Sequence, residues 1–185
     1  MMALVARTGR HQQRYDEKKY RLVAGCIPFR YKVAAEGKKA VEVLMVSSQS
    51  GGERLLFPKG GWENDESVQE AACREALEEA GVRGTIKKHL GSWEFRSKRY
   101  QDDCGHEGFC RAQMFALFVT EELESWPEKN NRQRKWVTIT EAAELCCYDW
   151  MQAALHNCAS YTQSELGDCS VSPRPLSQQS DQGQI

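Results

Sequence analysis

No stretch of this sequence approaches the roughly 20 consecutive apolar residues that a membrane-spanning helix needs, and the first residues lack the apolar block of a secretory signal. Internal repeats are also missing, which excludes solenoid and propeller arrays. An excess of either charge is nearly absent: 25 Lys and Arg stand against 26 Asp and Glu, a formal net charge of -1. Neither a membrane nor a nucleic acid is therefore expected as a partner. The balance is uneven, because residues 1–21 hold Arg7, Arg10, Arg14, Lys18, Lys19 and Arg21 against only Asp16 and Glu17. Local fields matter more than the total.

What is present fits one globular domain: 185 residues, 41% hydrophobic and 28% charged, in the range of an α/β or α+β core. The 8 cysteines do not require a disulfide scaffold, since a chain of this length buries a core without staples; free thiols in a reducing compartment are expected. A soluble monomer of the cytoplasm, extending to the nucleus, is the expectation. The first 15 residues carry basic groups and no acids, so a mitochondrial transit peptide is the alternative.

Periodicity predicts strands over Tyr20–Phe29 and Val41–Ser47 with a polar loop from Lys32 to Lys39 between them. Leu55–Phe57 leads through Pro58, Lys59, Gly60 and Gly61, read as a glycine turn, into an acidic helix over Ser67–Ala80 with Gly81 as its C-cap. Further strands are predicted over Thr85–Phe95, Cys110–Thr120 and Trp136–Ile139, with a charged loop from Arg96 to Gly108. Thr140 is expected to cap one last helix, Glu141 to about Ala159. From Tyr161 onward, Ser, Gln, Pro and Gly replace apolar residues, which predicts a disordered tail. The expected organisation is a basic arm over 1–17, a domain over 18–160 and a tail over 161–185.

The informative segment is Gly60 to Val82, GGWENDESVQEAACREALEEAGV. At about 100° per residue, Glu75, Glu78 and Glu79 fall on one helix face, where converging carboxylates suit a hard cation such as Mg²⁺, shared with substrate phosphates. Arg74 can hold a carboxylate by a bidentate pair, with Glu66 the nearest candidate. Gly60 and Gly61 let the backbone turn and approach a ligand closely. Spacing alone also fits a solvated acidic helix, as most Glu-rich helices are.

The full pattern is more specific. It resembles the Nudix box, G-x5-E-x7-R-E-U-x-E-E-x-G-U with U a bulky aliphatic residue. Gly60, Glu66, Arg74, Glu75, Glu78, Glu79 and Gly81 match every invariant identity, a coincidence expected at roughly 10⁻⁸ or less per starting position. The one departure is Ala76, where the family usually has a larger aliphatic residue. The resemblance implies an α/β/α sandwich with a mixed sheet between helices, over about Arg14 to Ala159. It also implies Mg²⁺, with Mn²⁺ as a substitute, on Glu75, Glu79, Glu78 and the Lys59 carbonyl. Glu78 is implied as general base and Arg74 as part of the catalytic set; Glu75 and Glu78 can exchange roles, because family members differ.

The approach Phe57-Pro58-Lys59-Gly60-Gly61-Trp62-Glu63 looks like plant Nudix hydrolases similar to animal diphosphoinositol polyphosphate phosphohydrolases, which also cleave diadenosine polyphosphates. Arg14-Tyr15-Asp16, Val46-Ser47-Ser48 and Arg132-Gln133-Arg134-Lys135-Trp136 extend the similarity. A ring carrying seven or eight phosphates needs many cations, for which arginine's planar fork is suited. The candidate substrate contacts are Lys18, Lys19 and Arg21; Ser47 and Ser48; Lys59, Gly60 and Gly61; Arg96, Lys98 and Arg99; and Arg132, Arg134 and Lys135. The expected activity is hydrolysis of a pyrophosphate linkage in inositol pyrophosphates, with diadenosine polyphosphates as further substrates. Alternatives are another nucleoside diphosphate derivative (ADP-ribose, NADH, coenzyme A or capped RNA) and a non-catalytic phosphate-binding module. The array SQPWPFPxS of NADH pyrophosphatases is missing, as is a proline about 15 residues past the box. Cys104, His106 and Cys110 match no familiar zinc spacing, and a loop with incidental thiols is the better reading.

Overall fold

The computed structural model describes residues 5–33, 35–49, 54–97 and 108–168. Strands β1 (Arg21–Val33), β2 (Lys39–Ser47), β3 (Leu55–Leu56) and β4 (Lys59–Gly61) precede helix α1 (Val68–Ala80). Strands β5 (Val82–Arg96), β6 (Phe109–Glu122) and β7 (Arg134–Thr138) follow, then helices α2 (Ile139–Leu145) and α3 (Asp149–Asp168). They build one mixed sheet in the order β3-β2-β1-β6-β5, with β4 on β1 and β7 on β2. β1 runs parallel to β6 from Arg21↔Cys110 to Phe29↔Phe118, and the other strand pairs are antiparallel.

Alternation along the strands divides the core into two layers. Ala24, Cys26, Leu44, Val46, Phe115 and Leu117 face α1, which meets them with Ala71, Ala72, Ala76 and Ala80. Their neighbours Ile27, Phe29, Val43, Met45, Met114 and Ala116 face the other way, onto Ala142, Met151, Ala154, Leu155 and Cys158 of α2 and α3. The result is the expected α/β/α sandwich. Ala76 is fully buried against the sheet, so a small residue at this position lets α1 sit close to the strands.

Helix α1 begins at Ser67, which is its N-cap rather than its first residue: the Ser67 hydroxyl accepts from the Glu70 amide, and the Glu70 carboxylate accepts from the Ser67 amide. Gly81, at φ 65°, closes it. Gly60 and Gly61 lie in β4, paired with Ala24 and Val23, rather than in a free turn. The predicted last helix is two helices. Thr138, not Thr140, caps the first of them with Glu141, which moves Ile139 from the predicted strand into α2, and the chain breaks at Cys146 before α3. Helix α3 continues through residues assigned from composition to a disordered tail. Tyr161 packs edge-on to Phe29 and Thr162 is buried, because a few well-placed contacts suffice to carry a polar helix onward. Residues 169–185 of the predicted tail, and most of the predicted loop from Arg96 to Gly108, lie outside the described residues.

Candidate active site

The C-terminal half of α1 carries Glu75, Glu78 and Glu79 against β4, and all three are buried, at 8%, 6% and 7% exposure. Buried carboxylates are costly unless paired, and here the pairs are specific. Arg74 Nε and Nη2 donate to the two oxygens of Glu66 at 2.9 and 2.7 Å, while its Nη1 donates to Glu75 at 2.8 Å and Glu78 at 3.3 Å. Arg74 Nη2 also donates to the Gly61 carbonyl at 2.9 Å, tying α1 to β4. Glu79 accepts from the Lys59 amide at 3.0 Å and from the guanidinium of Arg132. Gly60 is required where it stands: a Cβ there would lie 2.1 Å from Glu75 Oε1.

These partners do not satisfy the acids fully. Burial, with the charge of Glu79 adding to it, pushes Glu75 up to about 8 despite Arg74. Burial likewise raises Glu78 and Glu79, in the latter against the opposing pull of Arg132 and Lys59. Among the described residues, no three His, Cys, Asp or Glu side chains converge at metal-ligand spacing; the acids are drawn apart onto Arg74, Arg132 and the Lys59 amide. Buried oxygen donors that share so few cations are chemically suited to a hard divalent cation, and Glu75 and Glu79, which face β4, could hold one.

Beside Gly60 opens a cavity of about 210 Å³. Arg21, Arg54, Lys59 and Arg96 supply its charge, and Leu56, Phe95, Tyr148 and Trp150 form apolar wall. Phe95 and Trp150 stack at 4.8 Å, and the Lys59 ammonium lies 5.8 Å from the Phe95 ring. Burial lowers the pKa of Lys59. A second cavity of about 200 Å³, sharing Arg21 and Ser97 with the first, adds Arg10, Tyr15 and Lys19. Lys19 adopts φ 63°, a left-handed conformation uncommon outside glycine.

The predicted contacts therefore separate. Lys59, Gly60, Arg21, Arg96 and Ser48 line the main cavity, and Lys19 the second. Gly61 is buried against Gln13. Lys18 and Lys135 are exposed elsewhere, and Lys98 and Arg99 lie outside the described residues, as do Cys104 and His106. Arg132, Arg134 and Ser47 turn inward, contrary to the sequence expectation. Arg132 spans Glu79, Glu128 and the Ser47 carbonyl, the Ser47 hydroxyl accepts from the Gln133 amide, and Arg134 donates to the carbonyls of Ala80, Gly81 and Leu123. A basic run in a sequence does not reveal whether its forks meet solvent or the carbonyls at a helix end. Sequence reasoning missed Arg54, which has no basic neighbour to mark it, and the wall residues Tyr148 and Trp150, hidden in a predicted helix.

A model of the NUDIX domain matches residues 19–157. The chain belongs to the Nudix hydrolase family. Curated relatives include Nudix hydrolase 16, mitochondrial, of Arabidopsis thaliana, 59% identical over 84% of this chain and 88% of the relative. Nudix hydrolase 12, mitochondrial, of the same plant is 55% identical, over 84% and 80%. Diphosphoinositol polyphosphate phosphohydrolase 3-beta of Bos taurus is 32% identical, over 87% and 91%. Among solved structures, a C. elegans Ap4A hydrolase binary complex superposes with a TM-score of 0.57 at 20% identity, covering 77% of this chain and 98% of that one. It shares the fold. The mitochondrial relatives overturn the expectation of a cytoplasmic and nuclear Nudix hydrolase and support the mitochondrial alternative.

Proposed function

We propose that this Nudix hydrolase cleaves a pyrophosphate linkage in a polyphosphorylated small molecule, with a nucleoside polyphosphate as the substrate class the main cavity fits best. The observation that carries this reading is the cavity's mixed wall: Arg21, Arg54, Lys59 and Arg96 for phosphates, and Phe95, Tyr148 and Trp150 for a flat apolar group. A phosphorylated inositol ring has no face that needs the aromatic side. A second reading, an inositol pyrophosphate, is favoured by the added cations Arg10 and Lys19 of the adjoining cavity and by the likeness to the bovine diphosphoinositol enzyme.

Glu75 and Glu79, with the Lys59 carbonyl, would hold Mg²⁺ or Mn²⁺. When bound, such an ion polarises a phosphoryl oxygen and favours attack by water. Glu78 takes the proton of the attacking water, and Glu75 is the other group able to do so. Arg74 keeps both oriented from its anchor on Glu66. The cationic cavity binds the phosphates next to Gly60, whose missing side chain lets the Glu75 carboxylate lie against β4 at the cavity's edge. A panel of diadenosine polyphosphates, inositol pyrophosphates, ADP-ribose, NADH and capped RNA, assayed with Mg²⁺ and again with EDTA, tests the proposal. Magnesium-dependent turnover with dinucleoside polyphosphates leading is expected. Inositol pyrophosphates leading would favour the second reading, and no turnover with any of them would leave a phosphate-binding module.

A further inference from the structure

Residues ahead of the family domain lie across its catalytic face. The segment 10–16 is built into the domain: Arg14 donates to the carbonyls of Glu63, Asn64 and Glu66 at 2.9, 2.9 and 3.1 Å, and its guanidinium lies 4.6 Å from the Trp62 ring. The Asn64 amide donates to the Gln12 carbonyl at 2.8 Å, and Gln13 bridges to Glu63. Before it stands Gly9, at φ 100°, a conformation that side-chain-bearing residues rarely adopt.

Beyond Gly9 the contacts change in kind. The Arg7 amide donates to Glu78 Oε1 at 3.2 Å, and the Arg7 Nη1 donates to Glu63 at 2.6 Å and Asp65 at 2.9 Å. The Arg7 side chain is 41% exposed and Val5 is 80% exposed, so this stretch is held by one amide and one guanidinium and by little apolar burial. One of the two oxygens of the residue assigned to take a proton is thus occupied by a main-chain donor. The other accepts from Arg74.

We propose that residues 5–8 form an autoinhibitory strap, hinged at Gly9, that masks Glu78 until the strap lifts. The inference rests on the role given to Glu78 in the proposed function. Arg7 is half-exposed although its partner Glu63 is buried, and Glu78 adjoins Glu79 on the same helix face. A cation held by Glu75 and Glu79 therefore competes with Arg7 for this acidic face and lifts the strap. Two changes weaken it independently. Arg7→Glu sets a carboxylate among Glu63, Asp65 and Glu78, and Gly9→Val opposes the positive φ of the hinge. Deleting residues 2–9 removes it and leaves the docked segment 10–16 in place.

The test compares the full chain with these three variants, titrating Mg²⁺ in the hydrolysis assay and following hydrogen exchange of the Arg7 amide with and without Mg²⁺. Each variant is expected to raise the rate at subsaturating Mg²⁺ by about two- to tenfold, the scale of one or two partly exposed charge pairs, with the fold retained and the melting temperature lowered by no more than a few degrees. The Arg7 amide of the full chain should be protected without Mg²⁺ and lose that protection when it is added. Slower turnover in the deletion at every Mg²⁺ concentration would mean that the segment positions Glu78, and would overturn the strap. So would an Arg7 amide that exchanges freely under both conditions. Should no substrate be hydrolysed, the proposed function fails, yet the exchange measurement still decides whether the strap engages and releases.

Discussion

The acidic face of α1 and the basic cavity beside it differ in how their charges are assembled. Glu75, Glu78 and Glu79 come from two turns of one helix, are buried, and are tied to named partners. Arg21, Arg54, Lys59 and Arg96 come from four separate segments around an open cavity. The first region is a local device set by helical spacing, whereas the second exists only once the sheet has brought distant residues together. Under the proposed function, chemistry that must stay fixed would sit on the locally encoded region and the choice of substrate on the dispersed one, where a change at one position leaves the others standing.

The largest effect that would test this division is on turnover. Glu78→Gln and Glu75→Gln are each expected to lower kcat by about 10²–10⁴-fold, with the fold retained in circular dichroism and melting curves. Near-normal rates in both would remove the helix from the chemistry. Next comes Arg74→Ala, which strips the shared partner from Glu66, Glu75 and Glu78. Breaking a buried ionic network costs about 3–5 kcal/mol, so a fall in Tm on the order of 10 °C should accompany the loss of activity in calorimetry.

The cavity should behave differently. The double change Arg21→Ala and Arg54→Ala is expected to raise KM by roughly 10–100-fold with kcat much less affected, as uniform binding is lost. The effect should shrink as salt rises from low to physiological strength, since partly exposed charges are screened over about 8–10 Å. Kinetics at two ionic strengths measure both. The inward-facing Arg134 supplies the control: Arg134→Ala should leave KM unchanged and lower Tm by a few degrees, because the carbonyls ending α1 lose their donor.

The last effect concerns pH and is read in stability alone. The folded-state pKa of Glu75 is raised to about 8, above the ordinary carboxylate value of 4.5, so the folded protein holds the proton more tightly than the unfolded chain does. Stability without divalent metal should therefore fall as pH rises from about 4.5 to about 8. Added Mg²⁺ should flatten that slope, and Glu75→Gln should remove most of it. Melting curves across this range, with and without EDTA, follow both.

The same contrast explains what was legible in the sequence. The helix, its Gly81 cap and the Glu66–Arg74 pair follow from spacing within some twenty residues, and all are found in the structure. The layered sheet follows from strand alternation. Boundaries were less legible where tertiary contacts decide them: Thr138 outcompetes Thr140 as a cap because its amide and hydroxyl both meet Glu141, and α3 outlasts its apolar stripe because Tyr161 finds Phe29. Basic residues were the least legible. Arg132 and Arg134 read like phosphate ligands but neutralise a buried acid and a helix end, while lone Arg54 reaches the cavity.

The parallel pairing of β1 with β6 joins Arg21 to Cys110, almost half the chain apart. β1 is the centre of the sheet, so an emerging or translocating chain cannot lock its core until β6 is available to it. Closing so long a loop is entropically costly and slow. Until then α1 has only part of its sheet to pack on, and its buried glutamates remain solvated. The acidic site is thus among the last features to acquire its unusual electrostatics, although its residues are fully synthesised early.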